Sequence, residues 1–104
     1  MTDPSSAVKA VALAPDLMDA SKLRGAGVEV VRRLDSPPTG ADLVIIDLDR
    51  ADVPADIDSW PCRTVGFGRH TDPERLEAAL AAGLDDAMPR SVFFKRLADG
   101  LAGL

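Results

Sequence analysis

One cysteine, one tryptophan, one histidine and no tyrosine leave this 104-residue chain with little of the usual material of active sites. Cys62, being alone, can form no internal disulfide and no cysteine-based metal site, and it reads as an ordinary small packing residue. No apolar run approaches the roughly 20 residues that a membrane helix requires. The opening MTDPSSAVKA has neither a basic end nor a hydrophobic signal segment, so a cytoplasmic protein with no membrane contact is expected. Basic residues are also in the minority: 12 against 17 acidic ones, a net charge of −5. The only basic doublets are Arg32–Arg33 and Lys95–Arg96, and one tryptophan makes a poor set of stacking platforms. Nucleic acid is therefore not an expected partner.

What is present is a globular composition, 46% apolar, in a length suited to one domain over 1–104, with residues 1–6 expected to be flexible. Short apolar segments alternate with helical or turn-rich ones. VKAVALA (8–14) reads as a strand. PDLMDASKLRGAG (15–27) reads as a helix, with Asp16 and Asp19 near its positive end and Leu17, Ala20 and Leu23 on one face. VEVVRRL (28–34) carries charges expected at a sheet edge, whereas the run 43–46 leading to Asp47 suits a central strand covered on both faces. RADVPADIDSWPC can hold only a short helix, with Val53, Ile57 and Trp60 facing inward. RTVGFG (63–68) is a fourth strand. The clearest helix follows over 70–83, capped by Thr71 or Asp72, with Leu76, Ala79 and Leu80 as its buried stripe. LDDAMP (84–89) is a short edge strand, and a last helix capped by Ser91 turns Phe94, Leu97 and Leu101 inward.

This alternation predicts an α/β fold, a doubly wound three-layer parallel sheet with right-handed crossovers. Ranking the strands by apolar content selects the order 2-1-3-4-5, whose switch point lies between strands one and three. Asp47 ends strand three there, where such a sheet places a ligand or reacting group.

At this point the chain resembles the receiver domain of response regulators over nearly its whole length. ADLVIIDL resembles that family's third strand, which ends in the aspartate that accepts a phosphoryl group from a histidine kinase; Asp47 matches it. AAGLDDAMPRSVFFKRL resembles the family's AAGADDYLPKP segment and its last helix. The resemblance implies a signalling module, and the departures fall on its chemistry. The paired acids that hold magnesium after the first strand are replaced by Ala14 and Pro15, leaving Asp16 as the nearest acid. Gly68 stands where the family has serine or threonine, and Arg90 where it has lysine. Asp47 is then expected to be held by Arg90 as a structural ion pair.

His70 lies on the same loop side, and Asp16, Gly68, His70 and Arg90 are expected to line the site around Asp47. The acids Asp49, Asp52, Asp56 and Asp58 read as solvated. GFG at 66–68 lacks the lysine and spacing of a phosphate loop, and Ser21 and Ser91 have no histidine to activate them. No enzyme activity, cofactor or metal is expected. The leading expectation is a regulatory module that acts by protein contact without phosphorylation. The alternatives are a stand-alone receiver phosphorylated on Asp47, and a small-molecule or anion-binding domain using Arg69, His70 and Arg90 at the carboxyl ends of the strands.

One more feature bears on partners. Only LDSPPTGA separates strands two and three, and Pro37 and Pro38 forbid a regular helix there. The second helix is thus expected to be missing and the third short. The face beneath is expected either to be closed by a protein partner or a second copy, with Leu34, Pro37, Pro38, Val53, Ile57 and Trp60 at the contact, or to be sealed from within.

Overall fold

The computed structural model describes residues 8–104, so the expectation for residues 1–6 lies outside the described residues. Its strands are β1 (Ala10–Leu13), β2 (Glu29–Val31), β3 (Leu43–Asp47), β4 (Arg63–Gly68) and β5 (Asp86–Pro89). All pairings are parallel and the order is β2-β1-β3-β4-β5, as the apolar ranking of the segments predicts. The central strands β1 and β3 are buried at every position, while β2 is three residues long and exposed or half-buried. A strand covered on both faces can be apolar throughout; an edge strand of three residues offers little template for unwanted pairing.

The helices are α1 (Leu17–Gly25), α2 (Pro73–Ala81) and α3 (Arg90–Ala98). One face of the sheet packs Ala10, Ala12, Ile45, Val65 and Phe67 with Leu23, Phe93 and Leu97 of α1 and α3. The Phe67 and Phe93 rings stack with centroids 4.6 Å apart. The other face packs Val44 and Ile46 with Ala79 and Leu84, and with Ile57 and Trp60 from a 3-10 turn at Ile57–Ser59. No helix joins β2 to β3, and that single turn is all that remains of a third helix. At Gly66 the leucines approach the strand: a Cβ there would lie 2.8 Å from Cδ1 of both Leu48 and Leu84.

Several expected facings differ. Leu17 is 77% exposed, and the buried face of α1 is Asp19, Ala20 and Leu23. At 100° per residue those three span about 100°, and Leu17 falls about 60° beyond their edge. Leu80 is 44% exposed; Leu84, just past α2, completes that surface instead. In α3 the buried aromatic is Phe93, with Phe94 half-buried on its flank. Ser91 is not a cap, because α3 begins directly at Arg90 after Pro89, with no side-chain cap bond. Asp72 takes the cap of α2, accepting the Arg75 amide at 3.2 Å, with Pro73 first in the helix.

Candidate functional site

The aliphatic run of β3 does end in a buried acid: Asp47 is 1% exposed. Its Oδ1 accepts the Asp49 backbone N–H at 3.1 Å, an Asx turn that starts the following loop. Its Oδ2 is buried without a hydrogen-bond partner and lies 3.8 Å from Arg50 Nε. Burial pushes the Asp47 carboxyl above its ordinary 3.8; the Asp49 amide opposes this, the charges of Asp19 and Asp49 add to it, and Arg50 opposes it.

Arg90 does not pair with Asp47. Its guanidinium grips Asp19 with two prongs, Nη1 to Oδ2 and Nη2 to Oδ1. The reason lies in α1. Asp19 takes an inward position on that helix and is 0% exposed, so it needs a compensating cation, which Arg90 supplies. Hydrogen bonding to Asp19 raises the Arg90 pKa further above its usual range, with partial burial opposing. The guanidinium also lies over the rings of Phe94 and Phe67, 5.1 and 5.7 Å from their centroids.

Asp16 is the N-cap of α1, accepting the backbone N–H of Met18 at 3.0 Å and of Asp19 at 3.1 Å. It also lies 3.3 Å from Arg50 Nη2. The Asp19 amide holds its carboxyl below 3.8, burial opposing and the Met18 amide, Arg50 and Arg90 assisting. Arg50 thus spans Asp16 and Asp47, so the ends of β1 and β3 are tied by alternating charges.

A cleft of about 250 Å³ opens over this cluster, lined by Asp47, Asp49, Arg50, Arg69 and Arg90. Of the expected lining residues only Arg90 is among these. His70 is exposed and does not line it. Gly68 is buried beneath: a Cβ there would lie 3.3 Å from Leu76 Cδ2 and 3.6 Å from Asp49 Oδ1, so a hydroxyl-bearing side chain has little room. Asp49 is not merely solvated, since its Oδ1 accepts the Arg69 N–H at 3.3 Å. Asp19 was expected only as an acid near the positive end of α1; its inward place beside Ala20 and Leu23 comes from the structure. Among the described residues no three His, Cys, Asp or Glu side chains are placed to hold a metal ion.

Of the two ways in which the face beneath the missing helix was expected to be closed, the described residues show covering from within the chain. Val11, Val44 and Ile46 are each at most 1% exposed, and Ile57 and Trp60 are 1% and 6% exposed. Two of the six residues expected at a partner contact, Ile57 and Trp60, are therefore core residues that do the covering. Leu34, Pro37, Pro38 and Val53 remain half-buried at the rim. Where the second helix is missing there is a groove of about 550 Å³ that includes Leu13, Arg33, Leu34, Arg50 and Val53.

Fold and site together define a doubly wound α/β domain with a closed acid–arginine cluster at its topological switch point. Comparison with family models, with curated proteins and with solved structures gives no match. No helix among the described residues is long and apolar enough to cross a membrane.

Proposed function

We propose that the chain is a receiver-like regulatory module of the cytoplasm that acts through protein contacts, without phosphorylation of Asp47. The observation that carries this reading is the bidentate Asp19–Arg90 pair. A phosphoacceptor needs an accessible carboxylate oxygen and cations free to receive the phosphoryl oxygens. Here the Asp47 oxygen without a partner is buried, and the arginine at the end of β5 is already committed to another acid. With Ala14 and Pro15 in place of an acidic pair, one carboxylate would have to hold magnesium largely alone. The contact surface we assign is the groove lined by Leu34 and Val53, together with the half-buried Pro37 and Pro38, and its occupant is a protein partner or a second copy.

Incubation with acetyl phosphate and magnesium, followed by intact-mass spectrometry, tests the reading. The expected result is no adduct; a phosphate adduct that disappears in Asp47→Ala would overturn it. One observation favours a second reading. Arg69 lines the cleft and makes no ion pair among the described residues, which suits an anion-binding domain. That reading requires a thermal shift with inorganic phosphate in the absence of magnesium.

A further inference from the structure

On the sheet face covered by α1 and α3, beyond the Phe94 ring that Arg90 overlies, the carboxyl ends of α1 and α3 lie side by side and leave a groove of about 600 Å³ between them. Phe94, Leu97 and Leu101 make it apolar, and Gly25, Ala26, Ala98 and Gly100 keep it open because they have little or no side chain. A Cβ built on Gly25 meets nothing within 4 Å. In a chain of net charge −5 the surroundings of this groove are basic: the last turn of α1 carries Lys22 and Arg24, that of α3 Lys95 and Arg96. Lys22 Nζ stands 5.0 Å over the Phe94 ring at the groove itself. Arg96 lies 3.7 Å from Asp86, whereas Lys22, Arg24 and Lys95 make no ion pair among the described residues. Asp99, which ends α3, is the acid nearest in sequence.

We infer that this groove is a docking site for an amphipathic helix of another protein, one that presents apolar anchors flanked by carboxylates. The inference rests on the reading of the chain as a protein-contact module and names a second surface and its partner's chemistry. An apolar slot with Lys22 in its lining and the unpaired Arg24 and Lys95 on the adjoining helix turns is complementary to such a helix in both shape and charge. A second copy fits less well. Two grooves facing each other across a twofold axis would bring Lys22 of one protomer close to the same lysine of its partner. An anionic membrane also fits less well, because insertion needs apolar side chains that protrude, and Leu97 is only 7% exposed.

The test uses the isotope-labelled full chain and a synthetic helix of about 18 residues, with leucine at i, i+3, i+4 and i+7 and glutamate elsewhere. A second peptide replaces every glutamate with lysine. Amide shift changes on adding the acidic peptide are expected to cluster at Lys22, Gly25, Ala26, Phe94, Ala98 and Leu101. Affinity should fall as salt is raised, and the basic peptide should bind at least about tenfold more weakly. A Cβ on Gly25 meets nothing within 4 Å, so Gly25→Leu should fold as the parent does, and its side chain at the slot should lower affinity at least about tenfold. The inference is overturned by absence of binding, by equal binding of the two peptides, by shifts centred elsewhere, by undiminished binding to a folded Gly25→Leu variant, or by preference for anionic vesicles over the peptide. A phosphate adduct on Asp47 would refute the module reading and leave this groove's test standing; an unoccupied groove in an unphosphorylated chain refutes only the groove.

Discussion

Removing the Arg90 guanidinium should be among the most damaging single changes at the charge cluster. Asp19 is 0% exposed and both of its carboxylate oxygens are held by Arg90. Breaking a buried pair from one side typically costs about 3–5 kcal/mol, because a charge is left without compensation. The Arg90 side chain is 40% exposed, so water can reach the space it leaves and about 2–4 kcal/mol is the better expectation for Arg90→Ala. Loss of its contact with the Phe67 and Phe94 rings acts in the same direction. A domain of this size has on the order of 5–15 kcal/mol in total, and each kcal/mol moves the midpoint by about 4–8 °C. Thermal and urea unfolding should therefore show a fall of roughly 10–25 °C. Arg90→Lys keeps the charge but loses the planar fork, and should fall between.

Double-mutant cycles then identify the partner. Coupling of Arg90 to Asp19 should be at least about 2 kcal/mol, and coupling of Arg90 to Asp47 below about 0.5 kcal/mol. The paired replacement Asp19→Leu with Arg90→Met should lie within about 1 kcal/mol of the parent, since an apolar pair of similar volume needs no desolvation of charge. Stronger coupling to Asp47 than to Asp19, or an Arg90→Ala protein as stable as the parent, would refute the reasoning.

Two further outcomes follow from the geometry. The folded-state pKa of Asp47 is raised, so the folded chain holds this proton more tightly than the unfolded one; that stability is fully present below about pH 4 and is lost as pH rises through the folded value. Asp47→Asn should accordingly gain about 1 kcal/mol over the parent at pH 8 and nothing near pH 3.5, with urea melts at the two pH values as the measurement; a larger gain at the lower pH would contradict the sign. Gly66→Ala places a methyl 2.8 Å from Cδ1 of Leu48 and Leu84, both nearly fully buried, and should cost about 1–3 kcal/mol in the same melts. Unchanged stability would mean that the two leucines rotate away freely.

The elements of this fold were legible because their cues are local. Leu43 to Ile46 is apolar throughout, a pattern that only a doubly covered strand sustains, and Asp72–Pro73 punctuates the start of α2 through its own backbone. The strand order followed from which segments could bear exposure, and it put Asp47 at the switch point. The facing of a short helix was less legible. With only nine residues in α1, Leu17 and Asp19 both looked like reasonable members of their faces, and the inward place went to the acid.

Which carboxylate Arg90 takes was beyond sequence reasoning. Residues 19 and 90 are separated by 71 positions, and Asp47 and Asp19 are both acids near the strand ends. Both acids are buried, and they differ in their partners: the Asp19 carboxylate is held by Arg90 alone, while Asp47 keeps the Asp49 amide and has Arg50 nearby. Trp60 likewise read both as an inward residue and as a partner contact, and only the packed chain places it with Val44 and Ile46. Composition and periodicity by themselves determined the strands, their order and the placing of an acid at the switch point. The pairing of charges and the covering of faces were decided only in the tertiary structure, because they depend on distances between groups that the chain brings together from far apart.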